Sequence, residues 1–139
     1  MTKPPDELKF GAHEARFEPP DTLVASFSGP ISMDEAVRAA QLYKETYERR
    51  GQYYFVCDIG RSQIEAASRQ YISSHIKGEW FHGVIYVGAD ILQRTFGKAI
   101  ALALLFTSKP GFETVFVPTM AEAYAWIAQH RGYRQRKAG

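Results

Sequence analysis

Apolar and polar positions change period along this chain, and the changes mark its elements. His13 to Glu18 (HEARFE) partly alternates and runs into Pro19-Pro20-Asp21, a turn signal, and Thr22 to Ser28 (TLVASFS) is a β-rich run closed by Gly29-Pro30. Together they predict an opening hairpin. Ser32-Met33-Asp34-Glu35 matches a capping box, in which a serine oxygen accepts an amide hydrogen of the first turn and Glu35 reaches back. The helix it opens has an apolar side through Met33, Val37, Ala40, Leu42 or Tyr43, and Tyr47, and stops at Arg49-Arg50-Gly51. Tyr53 to Cys57 (YYFVC) is apolar on both faces, the mark of a central strand covered by helices on each side, and Asp58-Ile59-Gly60 is expected to end it.

Helical spacing returns at Ile64, Ala67, Tyr71, Ile72 and Ile76, with Gly78 as the stop. Phe81 to Val87 (FHGVIYV) is a third strand. Gly88-Ala89-Asp90 leads into a helix from Ile91 to Phe106, whose stretch Ala99 to Phe106 is nearly all apolar and serves as core or leaves one stripe for a twofold contact. Pro110-Gly111 breaks it, Phe112 to Val117 supplies a last strand, and Thr119-Met120-Ala121-Glu122 caps a helix running to about His130. The predicted order is ββαβαβαβα: an α/β layered fold with a mostly parallel sheet, right-handed crossovers and an antiparallel first strand. Residues 11–131 read as one domain, 1–10 as an N-terminal extension and 132–139 as a basic tail.

Composition narrows the function. The 139 residues are 45% hydrophobic with a net charge of +2 and one cysteine, which suits one globular domain and excludes an internal disulfide framework and any zinc site needing two thiolates. With neither an apolar leader nor a spanning segment in view, the expected compartment is a reducing cytoplasm. Arg131, Arg134, Arg136 and Lys137 fall in the last nine residues, without an acid among them, so the +2 less these four cations leaves the first 130 residues at −2. The body therefore offers no footprint for nucleic acid, and the tail reads as a solvated, frayed end.

Motifs for familiar chemistry are missing. Gly97-Lys98 is followed by Ala99, with Leu92 where a phosphate loop needs its first glycine, and neither G-x-G-x-x-G nor G-x-S-x-G occurs. His13-Glu14 lacks the second histidine of a zincin, and His75 and His82 are not at metal-ligand spacing. Cys57, beside Asp58 at the end of an apolar strand, is expected to be a buried structural thiol. Asp58 sits where a receiver domain carries its phospho-acceptor, but no acidic pair follows the earlier strand to hold a metal. A candidate base such as Asp58 or His75 has no nucleophile, metal or phosphate cradle beside it, so neither catalytic residues nor cofactors are assigned. The aromatic fraction is high at 14%. Trp80 with Phe81, and Tyr124 with Trp126, fall at opposite phases of their elements, so both members of a pair are not expected to face one core.

The ordered strings Phe17-Glu18-Pro19-Pro20-Asp21, Ser28-Gly29-Pro30-Ile31-Ser32, Val56-Cys57-Asp58-Ile59, Val84-Ile85-Tyr86-Val87-Gly88 and Ala121-Glu122-Ala123-Tyr124-Ala125-Trp126-Ile127 resemble the STAS/SpoIIAA-like superfamily, also labelled STAS/SEC14 domain-containing proteins, over residues 11–131. The resemblance implies a SpoIIAA-like α/β domain that is not an enzyme, is often used in bacterial regulation by docking a partner protein, and sometimes binds an apolar ligand. Anti-sigma-factor antagonists of this group carry an Asp after the central strand, then a loop, then an Asp-Ser pair whose Ser is phosphorylated. Asp58 matches the first Asp, Glu65 falls near the second after a loop one residue shorter, and Ala66-Ala67 occupy the acceptor neighbourhood. The usual acceptor serine is thus replaced by alanine, which argues against a phospho-switch, with Ser62 and Ser68 the nearest hydroxyls.

Two readings follow. The first is a regulatory or scaffold module that docks a protein through the strand-to-helix loop, with Asp58, Gly60, Arg61, Ser62, Glu65, Ser68 and Arg69 as candidates. The second is a carrier or sensor of a small apolar molecule held by Tyr71, Ile72, Trp80 and Phe96, against which the short chain argues, since a pocket consumes core.

Overall fold

A six-stranded sheet organises the described residues. The structure, a computed structural model, describes residues 7–10, 13–88 and 113–138. The strands are β1 (Glu7–Phe10), β2 (His13–Glu18), β3 (Thr22–Ile31), β4 (Tyr53–Ile64), β5 (Phe81–Val87) and β6 (Glu113–Val117), and they lie side by side in chain order. The pairs β1/β2 and β2/β3 are antiparallel, while β3/β4, β4/β5 and β5/β6 are parallel. The helices are α1 (Met33–Arg50), α2 (Ala66–His75) and α3 (Met120–Ala138), with a 3-10 turn at Gly78–Trp80 before β5. The α/β class and mostly parallel sheet stand as the hydrophobic pattern predicts. The expected helix from Ile91 to Phe106 lies outside the described residues.

Alternation along the inner strands sorts their side chains into two cores. Leu23, Ala25 and Phe27 of β3 and Tyr53, Phe55 and Cys57 of β4 face α1, while Val24, Tyr54 and Val56 face α3. The stripe that α1 buries is mostly small: Ala36, Ala39, Ala40, Tyr43 and Thr46. The expected stripe differs at its start, since Met33 stays 39% exposed. Both halves of the capping box form: Ser32 Oγ accepts from the Glu35 amide at 3.2 Å and Glu35 Oε1 accepts from the Ser32 amide at 2.9 Å. Glu35 also accepts from His13 Nε2 at 3.1 Å, while the buried His13 takes the Ser28 amide on Nδ1 at 3.0 Å. The bond from the Ser32 amide, ahead of the one from His13, holds the Glu35 carboxyl below its ordinary pKa. At the far end Gly51, at φ 79°, sends its amide to the Tyr47 carbonyl at 2.8 Å, as the glycine stop predicts.

Several boundaries differ from the sequence expectation, each for a tertiary reason. Glu7–Phe10, read as part of an extension, is a strand because β2 offers its outer edge, with Phe10 opposite His13. β3 runs through Gly29-Pro30 to Ile31. Its β2 partners stop at Ser26, so Pro30, which has no amide hydrogen to donate, sits where β4 is the neighbour that matters. β4 does not end at Asp58 but continues to Ile64 along the lengthened β3. A bulge absorbs one extra β4 residue between Ser26↔Asp58 and Ser28↔Arg61. α3 continues beyond His130 to Ala138, so the basic tail is helical rather than frayed.

A second bulge explains the aromatic pairs. Tyr53 lies opposite Phe81 but Tyr54 lies opposite Gly83, leaving His82 as the extra residue of β5 and reversing the strand's phase. Trp80 closes the 3-10 turn and Phe81 opens the strand, and both enter the α1-side core, contrary to the expectation from phase. Tyr124 and Trp126 do split: Trp126 packs on the sheet, while the Tyr124 hydroxyl donates to Glu18 at 2.7 Å.

Gly83 is the slot for Trp126. A Cβ there would lie 2.9 Å from the indole ring and 3.4 Å from the Glu113 carbonyl, and neither a rigid indole packed on the sheet nor a strand backbone yields easily. Gly83→Ala is therefore expected to lower unfolding stability by about 1–3 kcal/mol. Urea denaturation checks this, and an unchanged midpoint refutes the close packing.

Candidate functional site

Beyond Asp58, β4 loses β5 as a partner and keeps only β3 among the described strands. The segment expected to be a docking loop is thus mostly strand, and the pleat divides its side chains. Gly60, Arg61 and Gln63 are exposed, Ser62 is buried and Ile64 is half-buried. Glu65, exposed, is the N-cap of α2 without a side-chain bond to its amides, and Ala66 and Ala67 are exposed beside it. Asp58 and Arg69 are half-buried. The candidates therefore separate into an outward set (Gly60, Arg61, Glu65), an inward pair (Ser62, Ser68) and two between.

Each inward hydroxyl has a structural task. Ser62 Oγ donates to the Ile59 carbonyl at 2.9 Å and Ser68 Oγ donates to the Ile31 carbonyl at 3.0 Å. Ser68 has no exposed surface, and its bond ties α2 to the end of β3. Both hydroxyls are turned into the fold rather than toward solvent. Gly60 is placed for contact: a Cβ on it would come 3.2 Å from the Gly88 carbonyl oxygen. Gly88, at φ 74°, sends its own amide to the Val117 carbonyl at 3.0 Å, so β4, β5 and β6 are locked together at this end. Burial, and then the Asp58 charge, push the Cys57 thiol well above its ordinary pKa and disfavour the thiolate, and the side chain is buried as expected.

The apolar candidates serve the helical layer. Trp80, 5% exposed, stacks on Tyr47 with ring centroids 6.4 Å apart and meets Phe81 edge-on at 6.2 Å. Tyr71 and Ile72 pack against the same core, and Tyr71 also stacks on His75 at 3.8 Å. Phe96 lies outside the described residues.

At the opposite end of the sheet is a constellation that no motif announced. Tyr54, with no exposed surface, sits at the start of β4 under the last turns of α3. Arg134 Nη1 donates to its hydroxyl oxygen at 3.1 Å, so the hydroxyl hydrogen is free to bond His130 Nδ1 at 2.8 Å. That tautomer turns an Nε2 hydrogen toward the Glu113 carboxylate at 3.5 Å. Arg131 grips Asp21, with Nε at 3.2 Å from both carboxylate oxygens, and Nη2 reaches Thr22 Oγ1 at 3.2 Å. Both guanidinium groups lie over the Tyr54 ring, at 5.7 Å for Arg131 and 5.6 Å for Arg134. His82, the bulged residue, lies 5.1 Å from the same ring. The Trp126, His130, Arg134 spacing of four residues was the one available signal, since it places all three on a single helix stripe. Two of the four tail cations are thereby engaged within the fold.

Among the described residues no group of His, Cys, Asp and Glu converges to hold a metal, and no helix is long and apolar enough to cross a membrane. Comparison with protein-family models, with curated proteins and with solved structures finds no match.

Three substitutions at two positions test these placements. Ser68→Glu, which buries a carboxylate where a hydroxyl now bonds a carbonyl, is expected to cost at least ~3 kcal/mol, whereas Ser68→Ala costs about 1–2 kcal/mol. Equal, small effects in chemical denaturation would place Ser68 at the surface instead. Tyr54→Phe removes the hydroxyl shared by His130 and Arg134 and is expected to cost about 1–3 kcal/mol. A thermal midpoint equal to that of the parent would show that the hydroxyl carries nothing.

Proposed function

We propose that this chain is a STAS-like protein-binding domain without enzymatic activity, working in the cytoplasm, that docks its partner through the carboxyl end of β3 and β4 and the start of α2. One observation carries the reading. The β3/β4 ladder continues to Ile31↔Ile64 after β5 has stopped, so Arg61 and Gln63 stand on a rigid arm next to Glu65, Ala66 and Ala67. Two alanines flanked by one cation and one anion make a shallow face with charges of both signs, which suits a complementary protein surface better than a small enclosed ligand. The arm is stiff because Ser62, Ser68 and the Gly60–Gly88 contact brace it from within. Binding energy is therefore not spent on ordering a loop.

This reading needs no phosphorylated serine. The absence of Ser at Ala66 and the inward hydroxyls of Ser62 and Ser68 support constitutive docking, with control residing in the partner. The resemblance to the superfamily and the layered α/β architecture support the same class.

A photoreactive residue at Gln63 in the full chain is expected to capture a protein from host lysate that the same residue at Gln129, on α3, does not. The Arg61→Glu, Glu65→Arg double variant is expected to weaken binding of that purified protein by about tenfold or more. Unchanged affinity, or identical capture from both positions, defeats the proposal.

A further inference from the structure

α3 is attached to the sheet in two different ways along its length. From Met120 to Ile127 the attachment is apolar, with Ala123 and Ile127 buried and Met120 and Trp126 packed in the core that holds Val24, Val56, Ile85 and Val87. From His130 onward no residue belongs to either apolar core among the described residues. Here His130 meets Tyr54 and Glu113, Arg131 meets Asp21 and Thr22, and Arg134 meets Tyr54. A helix end held through charges and hydrogen bonds responds to pH, while one held by apolar burial does not.

We propose that this polar clasp is an acid-sensitive latch, in which protonation of His82 beneath it releases the carboxyl-terminal turns of α3 while the Met120–Ile127 turns stay packed.

The β5 bulge turns His82 toward Tyr54 rather than along the ladder. The titratable and charged groups around it come from every neighbouring element. These are Tyr54 on β4, Asp21 just before β3, and His130, Arg131 and Arg134 on α3, with Glu113 of β6 beyond His130. A charge on His82 would therefore join guanidinium groups that one carboxylate, Asp21, partly balances on this side. Burial first, then Arg134, and also His130, hold the His82 imidazole down to about 4 against the opposing pull of Asp21.

Two of those influences are side chains of α3 itself. When the end of α3 lifts, they leave and the imidazole regains water, returning toward its ordinary value of about 6.5. The clasped state therefore has the depressed pKa. Its advantage is complete above about pH 6.5 and is lost as pH falls toward 4, by up to about tenfold per pH unit.

Hydrogen exchange of the full chain, corrected for the intrinsic effect of pH on exchange, tests the latch between pH 7 and 4. Protection over residues 130–138 is expected to fall at least tenfold relative to residues 120–128 in the parent. The His82→Gln variant is expected to keep it over the same range. Equal loss over both segments, unchanged protection down to pH 4, or the same loss in His82→Gln overturns the proposal. A second readout does not depend on a variant: the His82 ring resonance in the parent must titrate together with the loss of protection. An imidazole that titrates near 6.5 while residues 130–138 remain protected refutes the coupling.

Discussion

The burial of β4 on both faces is the constraint from which the rest of the fold follows. A strand that turns Tyr53, Phe55 and Cys57 one way and Tyr54 and Val56 the other has no solvent side, so helices must cover both surfaces of the sheet. Each tyrosine also brings a polar atom into a region where an unmade hydrogen bond is costly. Tyr53 resolves this locally by donating to the Tyr43 carbonyl at 2.8 Å, which fixes α1 over the strand. Tyr54 resolves it at long range by recruiting His130 and Arg134 from the end of the chain. The last turns of α3 are thus joined to the start of β4 by the need to satisfy one phenol.

The bulges do the complementary work of ending and redirecting this symmetry. The one between β4 and β5 makes His82 supernumerary, lets Phe81 and Val84 share a face, and leaves Gly83 beneath the indole of Trp126. The one between β3 and β4 lets the pair continue beyond the sheet as an arm while Gly60 passes close to Gly88. The proposed docking face and the polar clasp therefore lie at opposite ends of the same strands, each beside an irregularity in the ladder. Such irregularities commonly re-aim side chains next to functional surfaces.

The candidate site was only partly legible. The Asp58 to Arg69 segment lies at the end of the sheet as placed, but reading it as a loop made every polar residue look available. Once it is a strand leading into a helix, the two-residue pleat turns Ser62 inward and the helical phase hides Ser68, leaving Arg61, Gln63 and Glu65 outside. Trp80 is a ligand candidate in the second reading because it is aromatic, yet its place at the end of a 3-10 turn seats it in the core with Tyr47. The clasp as a whole has no signature in the sequence because its members are spread from Asp21 to Arg134, and no local spacing joins residues more than a hundred positions apart.

Local signals acted where the physics is local. The Ser32 capping box, the glycine stop at Gly51, the double-faced apolar run at Tyr53 to Cys57 and the strand from Phe81 to Val87 depend on neighbours within a few residues, and all stand as the pattern predicts. The α/β class follows from their order. How far a strand runs is a different matter, because a backbone remains extended as long as a neighbour offers hydrogen bonds, and β3 offers them to β4 as far as Ile64. The helicity of the last residues likewise comes from across the sheet. A cationic segment with little apolar surface has weak local reason to stay ordered, and Asp21 and Tyr54, distant in sequence and adjacent in space, supply it.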